Sequence, residues 1–498
     1  MSVIRKQSIL STLVIYAGFA VGLFNTFLFT KQGLFTEAEF GLYNAFIAIA
    51  TLLAAAANVG VPFFIYKFYP YYRDHVRFDK NDQLSLSILL GTIGCMAAIV
   101  MGLYAEPLVI KKYATNAPQL VDYYHWTFLL GAGLLFFTIL EAWNWQQQRA
   151  ATSHLLKEAG WRLFVLMLIG GFAWGWIGSY DVFIKLFAFS YPFIAVALLL
   201  VLLYRKQAPF GKPLSKVSQR LKRAATRYTS FTYAGSLIFT VAQVFDTILI
   251  ASVLTNAMTK VALYSLAQNM ASLVQVPQRG VVAASMAPLS TAWKQKDIPT
   301  IAQIYKRSSI NQLVVGAGLL VLLVLNYTDA VLTFHLKSTY LQAFDLVVLL
   351  GITRLIDMGT GVNSQIIVTS PKWRFELISY VILLVIMLPL SYWFTKKYGI
   401  TGTALVQVIA MSCYNLSRIL FLWKLYDLQP FSAKTLYTVL LAAGSWAICF
   451  YLFKDIEGWF AMALRSLFFI TIYLTGAYRL QLTPDLAVVW EATRKRLL

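Results

Sequence analysis

Apolar residues along this chain come in long unbroken runs rather than in alternation. Each run stays apolar for about 18 residues or more, the length a helix needs to cross a bilayer. The pattern predicts spans over 8–30, 40–66, 84–104, 121–144, 157–178, 182–204, 228–254, 262–292, 309–326, 341–369, 375–395, 402–424, 435–453 and 459–478. Strands of a membrane barrel would alternate over about ten residues, so continuous runs exclude that architecture. The expectation is an all-α polytopic membrane protein with about 14 transmembrane helices.

The polar segments between the runs orient the chain. With the N-terminus in the cytoplasm, the inner loops hold Lys67, Arg73, Arg77, Lys80, Arg149, Lys157, Lys294, Lys296, Lys306, Arg307, Lys372 and Arg374, and the tail ends Arg494-Lys495-Arg496. The outer loops hold fewer cations, among them Lys31, Lys260 and Lys337. This is the positive-inside asymmetry, and it puts both termini in the cytoplasm. The densest cluster, "RKQAPFGKPLSKVSQRLKRAATR" at 205–227, holds no acid. It reads as a basic cytoplasmic linker against anionic lipid headgroups.

Short matches recur across that linker. "FNTFLF" at 24–29 pairs with "FDTILI" at 245–250, and "LYNAF" at 42–46 with "LYSLA" at 263–267, both offset by 221. "YAG" at 16–18 returns at 233–235 with a gap of four. Spans 1–2 then correspond to spans 7–8. Six spans separate the copies, so they run in the same direction. The expected organisation is an N-terminal six-helix bundle (1–204), the linker (205–227), a second six-helix bundle (228–425), and two extra helices with a basic tail (426–498). The same offset pairs Asn25 with Asp246 and Asn58 with Arg279, towards a shared central cavity.

Composition narrows the class. The 498 residues are 59% hydrophobic and 13% charged, with mean hydropathy +0.66, which no soluble domain of this length resembles. The net charge of +21 follows the loop asymmetry and gives no reason to expect nucleic acid. Cys95, Cys413 and Cys449 lie in or beside apolar spans and suggest neither disulfide framework nor metal site. Arg5 and Lys6 precede a long run without a cleavage signal, which reads as a retained first span.

With fourteen spans, a 6+6+2 plan and the basic linker, the chain resembles the multidrug/oligosaccharidyl-lipid/polysaccharide exporter superfamily. Within it, the chain most resembles the polysaccharide-biosynthesis flippases. The likeness rests on "EFGLYNAFIAIATLLAAAANVGV" (39–61), "DTILIASVLTNAMTKVALYSLAQNM" (246–270), "APLS" (287–290), "IIVTSPKWRFELIS" (366–379) and "YGITGTAL" (398–405). It implies alternating-access transfer of a lipid-linked, undecaprenyl-diphosphate-type oligosaccharide to the outer leaflet of a bacterial plasma (inner) membrane. Surface polysaccharide or lipopolysaccharide assembly would consume it, with a polymerase and glycosyltransferases as partners. The polyprenyl tail would leave by a gap between bundles involving spans 1 and 8, with spans 13–14 as its groove.

Charge inside a span is costly, about 2.5–3.5 kcal/mol per residue at the centre on insertion scales, so intramembrane charges are the candidates for function. Arg279, in "QVPQRGVV" at 275–282, is expected to grip a diphosphate or acidic sugar with its planar fork. The competing reading pairs it with Asp246 or Asp357. Pro277 is expected to loosen span 8 beside it. Arg354 and Asp357 sit three apart in span 10, and either pair locally or face substrate; Gly359 and Gly361 just beyond suggest a bend or joint. Arg418 either reaches substrate or snorkels. Asp246 and Asp357 are candidates for charge partners or for H+ or Na+ coupling. Arg162, Glu141 and Lys185 are expected to snorkel, and Arg465 to meet lipid or a helix.

Two transporter alternatives share the fold: a peptidoglycan-precursor (lipid II) flippase and a drug/cation antiporter. Arginines match carboxylates in the mid-spans, which favours an anionic substrate over a cationic drug. Span 1 offers Asn25 and no charge between Lys6 and Lys31, unlike the dense cationic set expected of the lipid II branch. A membrane polymerase or ligase would need catalytic groups on a sizeable outer loop. His75, His125, His154 and His335 are scattered, and no catalytic, cofactor or nucleotide motif emerges. An ion gradient, the membrane potential or removal of product by downstream polymerisation would each supply the energy, rather than ATP directly.

Overall fold

Helices account for every apolar run. The computed structural model describes residues 3–147, 149–210 and 215–483, with backbone alone at 3–16, 150, 283 and 287. Its helices are α1 (Val3–Thr30), α2 (Glu37–Ala57), α3 (Val61–His75), α4 (Gln83–Tyr113), α5 (Pro118–Asp122), α6 (Trp126–Gln146), α7 (Ala150–His154), α8 (Trp161–Ala173), α9 (Tyr180–Ala188), α10 (Ser190–Tyr204), α11 (Lys216–Val253), α12 (Ala257–Gln295), α13 (Ile298–Thr333), α14 (Phe344–Gly359), α15 (Asn363–Thr369), α16 (Phe375–Tyr426), α17 (Ala433–Leu452) and α18 (Gly458–Arg479). No strand occurs among the described residues. Nine stretches among them are long and apolar enough to cross a membrane, and Ala17–Thr30 is a shorter apolar helix. The 52 residues of α16 break at Gly399 (φ 64°, ψ −146°), so its two limbs match the predicted spans 375–395 and 402–424. Residues 211–214 of the linker and the basic tail at 494–496 lie outside the described residues.

The chain forms two compact units, 1–262 and 263–498. In the first, α6 packs against α2 and α10. Its core holds Trp143, Phe137, Leu198 and Ile65, all fully buried. Thr36 and Glu39 close a capping box at the start of α2, satisfying two otherwise orphan N–H groups. Inside this unit the expected snorkelling gives way to pairing. Glu141 is buried and accepts from Lys157 Nζ at 3.0 Å, and Arg162 meets Glu158 at 2.9 Å. A π-helical turn, Leu155–Gly160, carries Lys157 and Glu158. Glu141 is 4% exposed, so its carboxylate is matched by a neighbouring cation rather than left to water or headgroups. Lys185 pairs with Asp181 one turn away at 2.8 Å, a partly exposed contact compatible with the expected snorkelling.

Much of the basic segment is helical and continuous with the seventh span. Ser215 caps α11, which runs 38 residues without a proline. In the second unit, α13 packs against α14, α17 and α18. Arg465 of α18 donates to Asp329 Oδ2 and Leu325 O, both at 2.7 Å, and to the carbonyls of Phe453 and Ile456. This buried charge holds the last two helices to α13.

Candidate functional site: a polar chain across the second unit

Two interruptions organise the site. The tenth span stops at Gly359, passes Gly361 at φ 67°, and resumes as α15 at Asn363. The break lies between Met358 and Ser364, where the two glycines suggest it. Its backbone is held by α13: Ser309 Oγ donates to Gly359 O at 2.5 Å, and Val362 N donates to Ser308 Oγ at 3.3 Å. On α12, Pro277 lacks the N–H that would reach the Leu273 carbonyl. The helix nonetheless continues through Pro277 and Pro288.

Around these points runs a chain of hydrogen bonds linking α12, α14, α15 and α16. Gln275 Nε2 and Gln278 Nε2 each donate to Asp357 Oδ2 at 3.1 Å, and Gln275 Nε2 also reaches Gln278 Oε1 at 2.6 Å. Asn415 Nδ2 donates to the other carboxylate oxygen at 3.4 Å. Asn415 Oδ1 accepts from Thr360 Oγ1 and Asn363 Nδ2 at 3.0 and 2.9 Å. Arg418 continues the chain, with Nη1 at 3.5 Å from Asn363 Oδ1, Nε at 3.2 Å from Ser379 Oγ and Nη2 at 2.5 Å from Glu376 Oε1. Ser364 Oγ donates to the same Glu376 oxygen at 2.7 Å. The Arg418 guanidinium lies 3.9 Å from the Tyr414 ring centre and 5.7 Å from that of Tyr380. Its side chain is 3% exposed and that of Glu376 10%.

The predicted residues therefore part company. Asp357 and Arg418 join one network, but do not touch each other. Arg354, half-buried, does not pair with Asp357, whose oxygens are taken by amides. Arg279 is exposed. Among the described residues of their unit, neither Arg279 nor Arg354 has a hydrogen-bond or ion-pair partner. Glu376 was missed by the sequence reading. Its signal was available: it is the lone acid in the apolar run 375–395. Nothing in the sequence pointed to its partner, 42 residues on, because pairing distance is set by how α16 folds back at Gly399.

In the first unit, Asn25 is buried on α1 and donates to Arg162 O at 2.9 Å. Asn58 caps α2 and accepts from Gly60 N at 2.8 Å, shaping the turn into α3. Asp246 is buried on α11.

The second unit also holds an apolar cavity of about 390 Å³ between α13 and α18, lined by Val314, Val315, Leu319, Phe469, Ile470 and Leu474, with Asn311 and Thr483 on its border. No group of acids, cysteines or histidines suited to a metal occurs among the described residues.

The architecture is shared with known membrane transporters. A structure described as lipid II flippase MurJ in an inward closed conformation superposes with TM-score 0.74 at 15% identity, covering 94% of this chain and 98% of that one. An inward-facing multidrug resistance MATE family transporter of the MOP superfamily gives 0.66 at 14% identity, covering 82% and 94%. A MOP superfamily transporter from Pyrococcus furiosus gives 0.54 at 14% identity, covering 85% and 96%. At these identities the likeness establishes the fold. A search of curated proteins finds no match. The sequence model of the polysaccharide biosynthesis protein family matches residues 4–292. The chain belongs to that family, as its motifs suggested.

Proposed function

We propose that this protein is a flippase that carries a lipid-linked, polyprenyl-diphosphate-type oligosaccharide across the membrane by alternating access, for polysaccharide assembly. The observation that carries the reading is that Arg279 and Arg354 have no hydrogen-bond or ion-pair partner among the described residues of their unit, while Asp357, three residues from Arg354, is held by amides. A structural ion pair would have used that carboxylate. Unpaired guanidinium groups suit a ligand that brings its own negative charge, and a diphosphate matches their planar donors. Family membership supports a polysaccharide precursor as cargo. The apolar cavity between α13 and α18 offers the polyprenyl tail an apolar surface.

Asp357 is proposed as the coupling residue, for H+ or Na+. It is half-buried, and among the described residues its oxygens accept from the neutral amides of Gln275, Gln278 and Asn415, which leaves its negative charge available to a bound cation. Arg418 is assigned to holding the α15–α16 region through Glu376, and Gly359 and Gly361 to the joint between α14 and α15.

A lipid II flippase is the second reading, favoured by the breadth of the superposition on MurJ. The two are separated by complementation: rescue of a host lacking its polysaccharide flippase supports the first, rescue of a host depleted of its lipid II flippase the second. The residue-level test uses Arg279→Ala and Arg279→Lys. Export of polymer should be abolished by the first and partly retained by the second, at unchanged membrane abundance. Wild-type export by Arg279→Ala would refute substrate contact.

A further inference from the structure

The cytoplasmic end of α11 is built more firmly than a charge-bearing linker requires. Asp82, fully buried, accepts from Ser215 N at 2.9 Å and from Ser218 Oγ at 2.6 Å, and Tyr72 OH shares a hydrogen bond with Ser218 Oγ at 2.8 Å. Ala225 packs with Phe64, Phe68 and Tyr72, and Val217, Leu221 and Tyr228 lie against that cluster. At 100° per residue, Lys216, Arg220, Arg223 and Arg227 fall within about 60° of one another on the side opposite that packed stripe, with Lys222 on its flank, and all five are exposed. None has an ion-pair partner among the described residues. Nearby acids are already engaged: Asp74 and Asp79 pair with Arg73 and Arg77, and Asp82 is turned inward.

We propose that this face is a binding site for anionic phospholipid headgroups of the cytoplasmic leaflet. Charge complementarity and the helix's fixed depth select that occupant. α11 ends at Val253, away from the basic cluster, and the positive-inside bias puts that end at the outer side. At 1.5 Å per residue, Arg227 lies about 39 Å below it, or about 37 Å for an average tilt. A hydrocarbon core of about 30 Å plus a headgroup layer of about 5–7 Å puts Arg227 at the phosphates. Arg223 and Lys222 follow about 5–7 Å deeper, within a Debye length of about 8 Å. Lys216 lies about 15 Å below Arg227, beyond that reach. Lys67 of α3, 5.5 Å from the Tyr228 ring centre, joins the set at headgroup level. Rigid anchoring keeps this spacing, so the site has a depth as well as a sign.

The test is a titration of the full chain in neutral detergent with fluorescent phosphatidylglycerol and phosphatidylcholine of equal chain length. Phosphatidylglycerol should bind more tightly. A cation at headgroup level contributes about fivefold, and screening roughly halves that energy for Arg223 and Lys222, so the variant Lys222→Gln/Arg223→Gln/Arg227→Gln should lose on the order of 20-fold, and Lys216→Gln less than about twofold. Equal binding of the two lipids would overturn the proposal, as would a Lys216→Gln loss matching the triple variant. So would tighter binding of a short-chain polyprenyl diphosphate than of phosphatidylglycerol, which would make the face a substrate-capture surface. Should the triple variant fail to fold, raising salt on the unmodified protein decides: a phosphatidylglycerol preference unchanged by salt would refute the proposal.

Discussion

Arg418 and Glu376 provide a sharp test of how the second unit is held. Their side chains are 3% and 10% exposed, and a 2.5 Å contact joins Nη2 to Oε1. Arg418→Met removes the cation and leaves Glu376 buried with the neutral hydroxyls of Ser364 and Tyr380 as partners. Breaking such a pair costs about 3–5 kcal/mol, mostly the desolvation of the abandoned charge. Loss of the stacking on Tyr414, 3.9 Å away, falls within the same range rather than adding to it in full. Glu376→Leu should cost as much, stranding the guanidinium. The double variant leaves no buried charge and should recover most of the loss, ending within about 1–2 kcal/mol of the parent, because apolar replacement of a buried pair is often near neutral. Membrane abundance and the unfolding midpoint of purified protein in detergent read this directly. The single losses together less that of the double variant give an expected coupling of at least about 4 kcal/mol. If the double variant falls by the sum of the single losses, the two side chains act independently and the network described here is wrong at its centre.

Two glycines offer a contrast. Gly399→Ala meets no atom within 4 Å, so only its φ of 64° resists substitution, and the loss should be about 1–3 kcal/mol. Gly361→Ala, at φ 67°, also drives Cβ to 2.8 Å from Ser308 Oγ and 2.9 Å from Ser309 N, so it should lower the unfolding midpoint further; equal midpoints would refute this. Asp297, in the α12–α13 loop, has its carboxyl held below the usual carboxylate range by hydrogen bonds from the Thr300 hydroxyl and backbone N–H. A depressed folded value means its contribution is full above the unfolded value of 3.8 and is lost as pH falls through the folded one. Asp297→Asn should therefore weaken the acid dependence of stability below about pH 4, and an unaltered acid limb would exclude this contribution.

Period and length of the apolar runs were enough to predict helices, because a bilayer leaves the backbone little alternative, but not their ends: the predicted span 40–66 stops at Ala57 and resumes as α3 at Val61 after Gly60 at φ 78°. Pattern also located the interruption after Met358, since Gly359 and Gly361 weaken helix locally and Gly361 tolerates a positive φ. Arg279, Arg354, Asp357 and Arg418 were legible as candidates because charge in an apolar run is conspicuous. What each charge meets was not. Asp357 is three residues from Arg354 yet is claimed by Gln275 and Gln278 of another helix, while Arg418 takes Glu376 from the other limb of α16. Glu141 and Arg162 sat near predicted span ends and turned out to be paired inside the first unit. Sequence distance ranks neighbours within one helix. Between helices, partners are chosen by rotation, depth and the angle at breaks such as Gly399, and those are fixed only when the helices pack and their buried polar groups are matched together.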